Sequence, residues 1–400
     1  MTTSTHRLPA DRLVWIDWVR IIAFALLVLY HVGMYYVSWD WHVKSAQQLA
    51  ALEPWMRLVA PWRMDLLFIV SGIATAFMLR RAGGATRALL ATRARRLLLP
   101  LVFGMAVVVP PQSYLEVVQR YGFDGGYVAF WRMYLAGYGG FCGARTGCLI
   151  LPTWNHLWFL PYLFAYTLLA WLTVRPGLRI LDALAAALLQ ALRGARLLVV
   201  PVLLLAATRV LLAPRFPITH ALVDDFFAHV QYLPMFVFGL ALAQLPVLHE
   251  GMQRLRWIAL ASALAAWTLF AWGTPPASDS LERIARACAF SVTQWCGIVA
   301  ALGFARRHLA RDSAARRYLT DAVFPVYILH QTLTIVLARS LAPSDLPPAL
   351  EGPLLVAGTF AASLAGYEIV RRIGWMRPLF GLNGSGARSG NGAVRRRREA

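Results

Sequence analysis

Three ionisable side chains fall inside one apolar run near the start of the chain: Asp17, Arg20 and His31, within residues 14–37. A titratable group inside a bilayer costs several kcal/mol, so such groups are functional candidates by default. The offset of eleven from Arg20 to His31 comes to about 20° from full turns at 100° per residue, so both lie on one helix face, about 16 Å apart along the axis. Asp17 stands three residues before Arg20 on the same face, well placed for an ion pair. Imidazole titrates near pH 6.5 and is suited to take a proton at neutral pH. The competing reading is structural: Asp17 pairs with Arg20 near one helix end, and His31 only hydrogen-bonds inside a bundle. Other polar groups reach the same level: Arg63 and Asp65 in the second apolar run, Asn155 and His156 at the fourth and His229 at the sixth, with His330 in mid-membrane in the ninth. Asp65 is the carboxylate named to hold the His31 tautomer; pairing with Arg63 or Arg57 is the alternative.

The elements that carry these residues follow from composition. Of 400 residues 59% are hydrophobic and 14% charged, with mean hydropathy +0.56. Soluble domains carry about 25% charged residues, and apolar runs near the length needed to cross a bilayer recur throughout. Ten spans are expected, near 14–37, 57–79, 97–118, 154–174, 197–213, 227–247, 257–273, 284–304, 320–340 and 353–370. The expected fold is an all-α integral membrane bundle of about ten transmembrane helices. The net charge of +20 would suggest nucleic acid in a soluble protein. Here the arginines sit between apolar runs, which is an orientation signal and speaks against a nucleic-acid partner. They crowd alternate connections, at 80–96, 306–317 and from 371 on, whereas the intervening loops hold Lys44, Arg120, Arg132, Arg145 and Arg215. The positive-inside rule then places both termini in the cytoplasm. The first eleven residues are polar and lead into a run longer than a signal peptide, which reads as a retained first helix.

Residues 1–382 are expected to form one transmembrane domain, and residues 383–400 a disordered basic cytoplasmic tail against anionic headgroups. The loop from Gln119 to Thr153 lies outside, and its glycines (Gly137, Gly139, Gly140, Gly143, Gly147) disfavour regular structure. Cys142 and Cys148 share that loop, either as a disulfide or as two unrelated thiols; Cys288 and Cys296 read as packing residues. No spacing supports a metal site, and Trp39, Trp41 and Trp62 read either as a sugar-stacking surface or as an aromatic belt.

Several segments, in order, resemble the membrane acyltransferase 3 family: Arg20-x10-His31, Leu67-Phe68-Ile69-Val70-Ser71-Gly72, Asn155-His156-Leu157-Trp158-Phe159-Leu160 and Tyr327-Ile328-Leu329-His330. Trp41-His42-Val43-Lys44-Ser45-Ala46 and Arg377-Pro378-Leu379-Phe380-Gly381 resemble its glucans biosynthesis protein C branch, taken to succinylate periplasmic glucans. The resemblance implies a multi-pass bacterial inner-membrane O-acyltransferase moving succinyl or acetyl from cytoplasmic acyl-CoA, a co-substrate rather than a resident cofactor, to an extracytoplasmic glycan. His31 and Arg20 would take the catalytic positions, and Trp41, His42, Asn155, His156 and His330 the acceptor side. Arg93, Arg95 and Arg96 would bind CoA phosphates, which suit arginine by charge and bidentate geometry, although their spacing departs from the family's usual pair. The rival class is a transporter or flippase for a glycan or lipid-linked sugar; no internal repeat supports it.

Overall fold

The computed structural model describes residues 13–143, 147–272 and 280–383. Among them run fourteen α-helices: α1 (Val14–Tyr36), α2 (Glu53–Val59), α3 (Arg63–Arg81), α4 (Arg87–Phe103), α5 (Pro110–Tyr121), α6 (Tyr127–Leu135), α7 (Phe159–Val174), α8 (Arg179–Ala191), α9 (Arg196–Leu212), α10 (Phe226–Leu242), α11 (Pro246–Ala271), α12 (Ser280–His308), α13 (Ala314–Leu341) and α14 (Pro348–Arg372). By length and composition seven helical stretches can each cross a membrane, or nine if the bent pairs α8–α9 and α10–α11 each count as one span. The protein is an all-α, multi-pass membrane protein. Fewer spans than the expected ten pass because α9 and α10 have 17 residues each, and α11 opens on a polar third holding His249, Glu250, Gln253, Arg254 and Arg256. The expected basic tail lies, from residue 384 on, outside the described residues.

The chain divides into two compact units. One takes residues up to Leu27, Ala51–Leu90 and Ala165–Thr320. Within it, α3 and α10 cross at two glycines. A Cβ on Gly72 would run into the Phe236 carbonyl oxygen, and one on Gly239 into that of Ile69. The Ser71–Gly72 motif therefore serves backbone approach, as small residues do at helix crossings in membranes. Deeper in this unit, Asp65 is buried and accepts from Gln294 Nε2 at 2.5 Å, and the same amide donates to Gln231 Oε1 at 3.0 Å.

The other unit takes Val28–Ala50, Ala91–Phe164 and Asp321 onward. Its spine is the part from Ala91 onward of a single helical stretch, Arg87–Tyr121, that passes from α4 through a π-helical segment, Gly104–Val108, into α5. Two prolines dictate this. Pro110 and Pro111 have no N–H to give the Ala106 carbonyl, whose α or π donor would be residue 110 or 111. The backbone re-registers instead, with Val109 N bonding Gly104 O at 2.8 Å. The Trp131 indole of α6 donates to the freed Ala106 carbonyl at 2.8 Å. The Gly-rich part of the loop, expected to lack regular structure, contains a two-stranded pair, β1 (Cys142–Gly143) and β2 (Gly147–Cys148), closed by a Cys142–Cys148 disulfide. Helix α6 was not expected either, being only nine residues long.

Candidate active site

In the second unit the C-terminal part of α1, the loop after it, the turn Asn155–Trp158 and the middle of α13 converge. The His31 and His330 rings stack at 5.0 Å between centroids, and His31 Nδ1 lies 2.8 Å from His330 Nε2. His330 is fully buried, and its Nδ1 lies 2.7 Å from the Tyr327 carbonyl. A carbonyl only accepts, so His330 Nδ1 carries the proton and its Nε2, in the neutral ring, accepts. His31 Nδ1 must then be the donor, and the His31 lone pair falls on Nε2. One backbone carbonyl on α13 thus sets the tautomers of two histidines in series.

His156 stands edge-on to His330, with centroids 5.1 Å apart. Its Nε2 donates to the Ile328 carbonyl at 3.0 Å, and its backbone carbonyl accepts from the Tyr327 hydroxyl at 2.7 Å. Gln112 of α5, fully buried, closes the network. Its amide nitrogen donates to Thr332 Oγ1 at 2.6 Å and, at a longer 3.4 Å, to His156 Nδ1; its oxygen accepts from Asn155 Nδ2 at 3.1 Å and Gln331 Nε2 at 3.0 Å. Donors and acceptors are all used, which is what keeps a buried polar network from costing stability.

The loop after α1 is strapped to α5. His42 Nδ1 donates to the buried Glu116 Oε2 at 2.5 Å, and Gln119 bonds the Lys44 backbone at both N and O, at 2.8 and 3.0 Å. Arg120 reaches Asp40 and the Trp41 carbonyl. The Trp41 ring stacks on His31 at 6.3 Å and lies 5.9 Å from the His42 ring. Lys44 Nζ donates to the carbonyls of Met34, Val37 and Trp39 at the end of α1, where a cation complements the helix dipole.

The structure thus brings His31, His330, His156, Asn155, Trp41 and His42 into one constellation. The bond that orients His31 through Nδ1 comes from a second histidine, whereas the carboxylate expected for that role, Asp65, is bound by Gln294 in the other unit. Arg20 also belongs to that unit, where it donates to the Thr320 carbonyl at 3.2 Å. Its expected partner Asp17 is 3.9 Å away and is also bound by the buried Arg316. On α4, Arg95 and Arg96 are exposed and Arg93 is turned inward. Gln112 and Glu116 escaped the sequence reading, although Gln112, Glu116 and Arg120 at steps of four form a polar stripe on a span.

A histidine network, with the His31 lone pair on Nε2, lies inside a bundle of apolar helices, and the class these define is an integral membrane protein. The acyltransferase domain family matches residues 13–368, and the chain belongs to it: the protein is a membrane acyltransferase, moving acyl groups other than aminoacyl groups. No curated protein and no solved structure matches the chain.

Proposed function

We propose that the enzyme transfers succinyl or acetyl from cytoplasmic acyl-CoA to a hydroxyl of an extracytoplasmic glycan, a periplasmic glucan in a bacterial inner membrane, with both termini in the cytoplasm. The observation that carries the mechanism is the His330–His31 contact, which puts the His31 lone pair on Nε2. That nitrogen takes the acceptor's hydroxyl proton as the oxygen attacks the thioester carbonyl. The tetrahedral intermediate collapses, the C–S bond breaks, and the departing thiolate takes the proton back from the imidazolium. Arg20, Arg93, Arg95 and Arg96 serve the CoA phosphates. Trp41, His42, Asn155 and His156 line the acceptor side. The glycan and the acyl identity rest on the resemblance of Trp41–Ala46 and Arg377–Gly381 to the glucans biosynthesis protein C branch.

The test is acyl transfer from labelled succinyl-CoA or acetyl-CoA to periplasmic glucan in proteoliposomes. His31→Ala should lower turnover by roughly 10²–10⁴-fold, the contribution of a positioned base, in a protein that still inserts and melts cooperatively in detergent, with a melting temperature lowered only by the lost bond to His330. A variant that acylates at near-normal rate overturns the mechanism. Glucans with identical mass spectra with and without the gene overturn the acceptor assignment.

A further inference from the structure

The segment from Gln119 to Thr153 reads by sequence as an extramembranous loop. We propose that its helix α6 is instead an interfacial anchor that inserts an apolar face into the acyl chains of the bilayer. Its two faces differ. Phe130 and Tyr134, one turn apart, are buried in an aromatic cluster with Tyr114, Phe123 and Phe141, and the Tyr134 hydroxyl donates to the Thr153 carbonyl at 2.8 Å. A second face presents Val128 (62% exposed), Trp131 (36%) and Leu135 (46%), which helical spacing places in one stripe.

The occupant of this stripe follows from where α6 is tethered. Trp131 holds the Ala106 carbonyl that Pro110 and Pro111 leave without a backbone donor. Ala106 lies in the apolar part of the span Arg87–Tyr121, whose own Val102 (63% exposed) and Val107 (48%) face outward. On a span, outward-facing valines meet lipid. The α6 stripe therefore continues a surface that already faces hydrocarbon. Arg132 borders the stripe, and its long stem can carry the guanidinium to the phosphates while the stripe stays in the acyl chains.

Single-cysteine variants Val128→Cys and Leu135→Cys, in the full chain with Cys288 and Cys296 replaced by alanine and the Cys142–Cys148 disulfide kept, carry a nitroxide label into phosphatidylcholine–phosphatidylglycerol vesicles. Collision with oxygen, which partitions into lipid, is compared with collision with a water-soluble nickel chelate. Both labels should favour oxygen severalfold, as a label at Val102→Cys does, and opposite to one at Asp124→Cys in the preceding turn. Labels that behave like Asp124→Cys put α6 in water and overturn the proposal. Labels that meet neither reagent and show spin–spin broadening mean a second copy covers the stripe, which overturns it too. Melting temperature in detergent checks that each variant is folded.

Discussion

In the proposed mechanism His31 acts as a base at Nε2 only while Nδ1 holds the proton, and the contact with His330 is what would keep it there. Replacing His330 by alanine leaves the His31 tautomer unset and should cost kcat about as much as a positioned base contributes, roughly 10²–10⁴-fold, with the donor KM unchanged. His330→Gln, whose side-chain oxygen can accept from His31 Nδ1, should recover part of that loss. Equal activity of the two variants in the proteoliposome assay would remove the tautomer role. A second histidine gives a pH signature outside the spans. Burial, opposed by Asp225 and assisted by Arg63, lowers the His220 imidazole from its ordinary 6.5 to about 4. The unfolded chain takes up that proton near pH 6.5 and the folded one only near 4, so stability falls as pH drops through this window. Melting temperatures between pH 7 and 4 should decline less for His220→Asn, asparagine being tolerant of the positive φ of 58° at this position. Identical slopes would assign the decline to other groups.

Helices were legible where they were long and apolar, because hydropathy reports what lipid demands. The crossing of α3 and α10 was not, since a glycine in a span does not announce what it faces. Gly72→Ala and Gly239→Ala should each destabilise, and by more than the 1–3 kcal/mol typical of overpacking, because the obstacle is backbone. A thermal melt of either variant within a degree or two of the native protein would contradict the crossing. The strap between the α1 loop and α5 was equally hidden. His42 and Trp41 were assigned to the acceptor side only through a family resemblance, and their partners Glu116 and Arg120, like the Gln119 that holds the Lys44 backbone, lie more than seventy residues away in the chain. Sequence spacing shows faces of one helix; it does not show which faces meet. Glu116 Oε1 also pairs with Arg120 at 3.4 Å, so Glu116→Gln, which keeps a hydrogen-bond acceptor for His42 but weakens that pairing, should lower activity less than Glu116→Ala. A ranking in the opposite order, read in the same assay, would show that the carboxylate does not act through the strap.

At the scale of the whole molecule, arginine placement predicts the orientation, and the disulfide offers an independent test of it. A reporter active only in the periplasm should work when fused near Gly140 and fail near Arg311; the reverse pattern inverts the topology. Cys142 and Cys148 should resist alkylation in intact cells until a reductant is added, since disulfides persist in oxidising compartments. Free labelling would place that hairpin in the reducing one. Apolar patterning made the membrane class plain, and the His31 and His330 motifs pointed to the two residues that meet. Their meeting depends on α1 and α13, nearly three hundred residues apart in sequence, and no local pattern encodes that pairing.

Lys44 is the only lysine in the chain. Three backbone carbonyls hold its nitrogen, and a nitrogen that donates three hydrogen bonds is an ammonium with no electron pair to share. Neutral amines attack activated acyl groups readily and without an enzyme. A transferase that draws such groups into its interior is exposed to slow self-modification at every accessible ε-amine. Here the single ε-amine of the chain is spent on closing a helix, which leaves that side reaction no lysine at which to start.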